Sequence, residues 1–276
     1  MENDTKDIQN PKKGNKMLLV KSVILSAVVL VVVAVVVSII IRYQSSNRLS
    51  KAERECYNEV TMLYNESIAT SYEAADDDNV YEVIVEDTSS HMRMMENILV
   101  STSFKYKEAD ESTNLEYKNQ VTLTYTGLNS IKSVYTLWYN NVDGVYDGLI
   151  KCDEYNVGSF TFQETDSGYK TSITGGNGGY TYSVSYENNL YTFTKASTVS
   201  TLKTSYTYNT KTDALTLEDN IAYTYGLNGT SIQITKTDGT DTYVATVTTI
   251  TKDSKYMYEY SFLASGKDTT KYDVSR

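Results

Sequence analysis

The stretch "GYTYSVSY", Gly179–Tyr186, decides the fold class because it alternates strictly along its length. Large apolar or aromatic side chains occupy every second position, and serine or threonine stands between them. A period of two with one apolar face is typical of a half-buried antiparallel strand. The apolar face comprises Tyr180, Tyr182, Val184 and Tyr186.

The same alternation recurs from Val121 onward, for example in "VTLTYT", "IAYTY" and "KYMYEYSF". Of the 26 tyrosines, 19 lie in this part, and tyrosine and threonine are both strong strand formers. Dipeptides that favour tight hairpins separate the runs. They are Asp143-Gly144, Ser167-Gly168, Asn188-Asn189, Asn228-Gly229, Asp238-Gly239 and Ser265-Gly266.

Strands joined by such turns predict an up-and-down antiparallel meander of about 11–14 strands over residues 106–276. One face of so long a sheet must be covered, so the meander is either an open curled sheet or a barrel. A tyrosine ring is apolar, but its hydroxyl needs water or a partner. The tyrosines therefore indicate a shallow, partly wet face rather than a dry core.

Residues 43–105 have a helical pattern and are predicted to form a stalk or subdomain. Apolar side chains recur every three or four residues from Leu49 to Leu63, which predicts an amphipathic helix with Asn58 and Glu59 on its polar face. We interpret "VYEVIVED", Val80–Asp87, as a short strand.

A second helix is predicted after the polar cluster Asp87–Ser90, which suits a helix N-cap. Met92, Met95 and Leu99 would share its apolar face, with Ile98 at the edge. A methionine stripe at this spacing is typical of a core and rarely forms a cofactor site.

The run "SVILSAVVLVVVAVVVSIII", Ser22–Ile41, contains no charged residue and is long enough to span a membrane as a helix. It is longer than the apolar region of a cleaved signal and no A-x-A site follows it, so residues 17–42 are predicted to be a transmembrane signal anchor. Basic residues flank the run almost equally. The short basic tail before it favours a plasma-membrane protein with residues 1–16 in the cytoplasm and the C-terminal bulk outside.

The part of the chain after Arg42 is acidic, with 19 basic against 32 acidic residues and a net charge of −13. This charge repels phosphate backbones, so no nucleic-acid partner is expected. It also disfavours adsorption to anionic lipid. The predicted contact with the membrane is therefore the anchor at residues 17–42 alone.

The residues that could carry chemistry do not form a recognisable catalytic motif. His91 is the only histidine, and no G-x-S-x-G elbow accompanies it. The "GGNGG" stretch, Gly175–Gly179, lacks the lysine of a phosphate loop and is interpreted as a hairpin loop. No catalytic residue, metal ligand or cofactor is predicted, and the protein is not expected to be an enzyme.

Cys56 and Cys152 are candidates for a disulfide, because the predicted compartment is oxidising. Their spacing includes no C-x-x-C or Cys/His cluster, so no zinc site is expected. Trp138 lies on the strand face opposite Tyr135, Leu137 and Tyr139. It would mark a binding surface if exposed, or cap the far side of the sheet.

These features predict a mainly β, membrane-anchored, extracytoplasmic protein that acts in surface binding, adhesion or envelope structure. An unknown protein, glycan or apolar ligand would bind its β domain. A helix followed by a long meander is also similar, at the level of fold alone, to the LolA-type lipoprotein carriers. That resemblance implies a curled sheet holding an apolar ligand against helices. The concave face would distinguish the two: it is filled in a structural protein and hollow in a carrier.

Overall fold

A computed structural model of the chain describes residues 49–76, 79–100, 103–153, 155–175, 179–218, 220–263 and 269–276. The predicted cytoplasmic tail at residues 1–16 and the predicted anchor at residues 17–42 lie outside these ranges. None of the described helices is long and apolar enough to cross a membrane. Residues Lys51–Arg276 form one compact unit.

Three helices precede the sheet: α1 (Lys51–Ile68), α2 (Val80–Ser89) and α3 (Met92–Leu99). The strand interpretation of residues 80–87 is wrong, because this segment is α2. Asn79 caps it, its side chain accepting a hydrogen bond from the backbone N–H of Tyr81. Ile84, Val85 and Thr88 form its buried face, so their helical spacing outweighs the β-branched composition.

The prediction of α1 is confirmed, but its amphipathic character is not. From Cys56 to Ile68 every residue except Asn58 is buried, including Glu59 and Glu66. A helix buried on all sides lies inside a protein rather than on its surface. The predicted helix after Ser90 is also confirmed as α3, although His91 rather than the preceding polar cluster occupies its N-cap.

Fifteen antiparallel strands form one sheet, and each strand pairs with its neighbours in sequence. The meander prediction is therefore confirmed. Among the described residues the sheet is not closed, and β1 and β15 are its edges. The strands are β1 (Phe104–Glu108), β2 (Asn119–Thr126), β3 (Lys132–Val142), β4 (Val145–Cys152), β5 (Gly158–Thr165), β6 (Gly168–Gly175), β7 (Tyr180–Glu187), β8 (Leu190–Ser197), β9 (Lys203–Asn209), β10 (Ala214–Thr216), β11 (Ala222–Asn228), β12 (Ser231–Asp238), β13 (Asp241–Lys252), β14 (Lys255–Leu263) and β15 (Thr269–Ser275).

Two of the predicted tight turns have the expected conformation, whereas neither residue of Ser167-Gly168 has positive φ and Gly168 already belongs to β6. Both residues of Asp143-Gly144 and of Asn188-Asn189 have positive φ, the conformation of a type I′ hairpin. Asp253-Ser254 has the same conformation without the usual asparagine or glycine, and the sequence did not reveal it. Two short strands, β1 and β10, explain why the observed count exceeds the predicted one, since three to five residues barely show a period.

The sheet curls around the helices, which cover its concave face. Tyr57 in α1 bonds to Tyr139 in β3 at 2.7 Å between hydroxyl oxygens, and Tyr191 in β8 reaches Glu59. At the far edge, Asn79 at the start of α2 contacts Tyr272 in β15. The helices therefore touch the same sheet face from near one edge to the other and cover most of it.

Most of the tyrosine face is buried, more than the sequence led us to expect, although Tyr180 and Tyr186 stay partly exposed. Most of its hydroxyls bond to polar side chains that the helices provide. Tyr125 donates to Asn58 at 3.0 Å and Tyr135 to Asn65 at 2.8 Å. Where a helix side chain accepts the hydroxyl's hydrogen bond, tyrosine can fill a core that water does not reach.

Tyr225 is an exception that allows a test. Its hydroxyl is buried and has no hydrogen-bond partner among the described residues. Tyr225→Phe should therefore stabilise the fold by about 1 kcal/mol, because an unpaired buried hydroxyl costs free energy. The matched variant Tyr135→Phe leaves Asn65 unpaired and should destabilise by about 1–3 kcal/mol. Urea unfolding of the two variants measures both changes, and a destabilised Tyr225→Phe would contradict the assignment.

Candidate functional site

A cavity lies between the helices and the strands β7 to β11, and its volume is about 320 Å³. Residues from the end of α1, from the connection between α2 and α3, and from the sheet line it. Its polar and aromatic lining includes Glu66, Asp87, His91, Tyr182, Lys195, Tyr206 and Glu218, and its apolar lining is Ala69, Leu217 and Ile221.

A buried pair of side chains, Glu66 and His91, forms one wall of the cavity. The imidazole Nδ1 of His91 lies 2.8 Å from Oε1 of Glu66. His91 is only 8% exposed and Glu66 only 7%. Oε2 of Glu66 has no hydrogen-bond partner of normal geometry among the described residues, although the Tyr206 hydroxyl lies close to the same carboxylate. The carboxylate fixes the orientation of the imidazole, as carboxylates do for histidines at functional sites.

Tyr206 of β9 forms the aromatic floor beside this pair. Its ring centroid lies 4.4 Å from that of His91 and 4.8 Å from that of Phe193. Burial, reinforced by the Glu66 carboxylate, raises the pKa of the Tyr206 phenol well above its ordinary value of 10.0. The phenol therefore stays protonated and can donate a hydrogen bond.

Lys195 of β8 carries a positive charge to the rim of the cavity. Its ammonium lies 4.5 Å from the ring centroid of Tyr180 and 5.7 Å from that of Tyr182. Both distances are within the range of a cation–π contact. These two rings can thus accommodate an ammonium group.

Two further carboxylates line the cavity, and each uses one oxygen within the protein. Asp87 of α2 accepts a hydrogen bond from the hydroxyl of Tyr223. Glu218 accepts one from the backbone N–H of Ser205 at 2.8 Å. Carboxylates thus outnumber lysine by three to one in this lining.

A second polar cluster, around Glu96 of α3, leaves no room for a ligand. Leu128 N–H donates to Oε1 at 2.6 Å, while the Tyr258 hydroxyl and Arg276 Nε donate to Oε2 at 2.5 and 3.0 Å. The adjacent void is only about 10 Å³, enough for one water molecule at most. This cluster therefore joins α3 to the two ends of the sheet rather than forming a site.

Glu59 of α1 is a third buried carboxyl group, away from the cavity lining. The Tyr191 hydroxyl donates to its Oε1 at 3.0 Å, and Oε2 has no partner among the described residues. Burial raises the pKa of Glu59 from its ordinary value of 4.5 to about 8, although the bond from Tyr191 opposes the shift. The folded protein therefore holds this carboxyl protonated at neutral pH.

The disulfide candidates Cys56 and Cys152 are both free and buried in the structure. The backbone N–H of Cys152 bonds to the hydroxyl of Tyr64, which lies eight residues beyond Cys56 in α1. Burial also raises the pKa of both thiols, that of Cys152 to about 12, so they remain protonated.

The other residues singled out from the sequence lie apart from the cavity, with one exception. Trp138 is on the outer sheet face, where its indole N–H donates to Gln120 at 3.0 Å. Of the glycine stretch interpreted as a hairpin loop, Gly175 ends β6, and residues 176–178 lie outside the described ranges. His91, which sequence reasoning set aside, is the exception, since it lines the cavity. No hydroxyl or thiol is hydrogen-bonded to its imidazole within the described ranges, so no Ser–His or Cys–His arrangement exists there.

The sequence analysis did not identify three residues of the cavity lining: Glu66, Lys195 and Tyr206. Only Glu66 has a sequence pattern that could have indicated its burial. Glu59, Leu63 and Glu66 are spaced by four and three residues, so the two glutamates share a helix face with a leucine. An acidic residue on an apolar stripe indicates a buried carboxylate. Within the described residues, no group of three or more His, Cys, Asp or Glu side chains could hold a metal ion.

The sequence matches no protein-family model, no curated protein and no solved structure.

Proposed function

We propose that the protein is a single-pass plasma-membrane protein that acts by binding rather than by catalysis. In this proposal residues 1–16 lie in the cytoplasm, residues 17–42 anchor the chain, and the remainder forms an extracytoplasmic domain for surface binding, adhesion or envelope structure. The uncharged run Ser22–Ile41 supports the anchor, and the short basic tail before it supports the orientation.

The observation that carries the proposal is that helices cover the concave face of the sheet, apart from one cavity. A carrier of a lipid needs an apolar hollow along the sheet, but α1, α2 and α3 occupy that position. The 320 Å³ cavity is lined by carboxylates, a lysine and hydroxyls as well as apolar groups, and such a lining suits an acyl chain poorly. A concave face that the helices cover except at one polar cavity favours the binding or structural role over the carrier.

The outer face of the sheet offers a surface for a polar partner. One row of hydroxyl side chains crosses five adjacent strands in register, from β5 to β9. Thr161 and Ser172 bond to each other at 2.7 Å within this row. Hydroxyls of this kind can donate and accept hydrogen bonds, which suits a protein or glycan partner. The row consists of Thr161, Ser172, Ser183, Thr194 and Ser205.

Labelling of lysines in intact cells tests the proposed topology. A membrane-impermeant amine reagent is added to cells that express the full chain, and mass spectrometry locates the modified lysines. Lys105 and Lys107 are exposed on β1 and should react in intact cells. Lys12 and Lys13 of the tail provide the internal control and should react only after permeabilisation. Labelling of the tail lysines alone in intact cells would overturn the orientation.

A further inference from the structure

We propose that the 320 Å³ cavity binds a small organic cation with an ammonium head. This inference goes beyond the proposed function, because it concerns the chemistry of the cavity and not the location of the chain. The supporting observations are the excess of carboxylates in the lining, the buried Glu66–His91 pair and the aromatic faces beside it.

The charge of the lining selects a cation. Glu66, Asp87 and Glu218 contribute three carboxylates, and Lys195 contributes one ammonium. Even a doubly protonated His91 would leave an excess of negative charge. The lining is also partly shielded from water, so this excess acts at lower dielectric than on the protein surface. An anionic ligand is therefore disfavoured.

The carboxylates retain hydrogen-bonding capacity for a ligand. Glu66 is only 7% exposed. Its Oε1 bonds to His91, and its Oε2 has no hydrogen-bond partner of normal geometry. Asp87 uses one oxygen to accept from the Tyr223 hydroxyl, and Glu218 uses one to accept from the backbone N–H of Ser205. A buried carboxylate oxygen without a full set of donors favours a ligand that brings one.

The aromatic side chains provide the second element of cation recognition. Tyr182 and Tyr206 line the cavity. The Tyr182 ring accepts the ammonium of Lys195 in the protein itself, so a ligand ammonium would share or replace that contact. A ligand ammonium held between a tyrosine face and a carboxylate would gain from both. Ala69, Leu217 and Ile221 would contact its carbon atoms.

The size of the cavity restricts the ligand to a small molecule. A volume of about 320 Å³ lies at the lower end of the usual range for small-molecule sites, about 300–1,000 Å³. Peptides and lipids are therefore too large to be enclosed. The proposed ligand is a compact amine or quaternary ammonium compound.

Choline is the probe, and its neutral carbon isostere, in which a carbon atom replaces the ammonium nitrogen, is the matched control. Calorimetric titration uses the full-length protein in a maltoside detergent, which carries no ammonium group of its own. Choline should bind with a Kd below about 10 mM, and the isostere should bind at least about tenfold more weakly. Equal binding of the two, or no binding of choline, would overturn the proposal.

Variants then assign the binding to the cavity. Glu66→Gln should weaken choline binding about tenfold or more. Glu66 is buried and its variant could fail to fold, so the exposed residue Glu218 provides a second test. Glu218→Gln should weaken choline binding about threefold or more. Glu59→Gln, on the same helix but outside the lining, is the control and should leave the Kd unchanged. Unchanged binding in both lining variants would show that choline binds elsewhere.

Discussion

Replacing Glu59 by glutamine should make the protein markedly more stable at pH 8 and leave it almost unchanged at pH 4. Burial raises the pKa of Glu59 to about 8 in the folded chain, against an ordinary value of 4.5. Because the folded pKa is raised, this group's contribution to stability is complete below pH 4.5 and is lost as the pH rises towards 8. The pKa shift from 4.5 to about 8 corresponds to at most about 5 kcal/mol of unfolding free energy. We therefore expect Glu59→Gln to be about 2–5 kcal/mol more stable than the wild type at pH 8.

Urea unfolding of the wild type and of Glu59→Gln between pH 4 and pH 9 measures this effect. Glutamine stays neutral and its carbonyl can still accept the bond from Tyr191, so the variant should lose the pH slope. Glu111→Gln is the matched control, because Glu111 is exposed and should change stability by less than about 0.5 kcal/mol at any pH. Parallel pH profiles for the wild type and Glu59→Gln would contradict the assignment.

Glu96→Met should destabilise the fold by about 3–5 kcal/mol. The substitution removes the acceptor for Leu128 N–H, the Tyr258 hydroxyl and Arg276 Nε. The side chains of Glu96 and Arg276 are only 4% and 9% exposed, so the variant leaves a guanidinium buried without its carboxylate. Breaking a buried ion pair from one side costs about this much free energy.

A double-mutant cycle separates the ion pair from the other bonds. The double variant Glu96→Met with Arg276→Met buries no unpaired charge, so its cost should be clearly smaller than the sum of the single costs. The surface pair Lys271–Glu259, 2.8 Å between Nζ and Oε1, is the control, and Glu259→Gln should cost less than about 1 kcal/mol. Additive costs at Glu96 and Arg276 would show that the two side chains act independently.

The strands were predictable because their information is local. In β2 the alternation of Val121, Leu123 and Tyr125 with threonines corresponds directly to buried and outward positions. Asp143-Gly144 likewise specified its own turn through the backbone freedom of those two residues. Pattern and turn chemistry therefore predicted the meander without knowledge of any distant contact.

The interior and the cavity were not predictable, because they depend on what covers each side chain. Residues 80–87 have a composition that suits a strand, yet contacts with β11 and β14 select the helix, as Tyr223 to Asp87 illustrates. Glu66 and His91 are 25 residues apart and meet because α1 and α3 pack together inside the sheet. No local pattern reveals that a distant strand will bring Tyr206 against them.

The order of elements along the chain has a consequence for how the molecule folds. Pairing of each strand with its sequence neighbours keeps the contact order within the sheet low. The helices make contacts of much longer range. Thr88 of α2 contacts Tyr260 in β14, more than 170 residues later, and Asn79 at the start of α2 contacts Tyr272 in β15. Synthesis of that intervening length takes about 10–35 s. The helices therefore leave the ribosome before their tyrosine partners are synthesised. Their carboxyl groups stay solvated until the last strands of the sheet complete the interior.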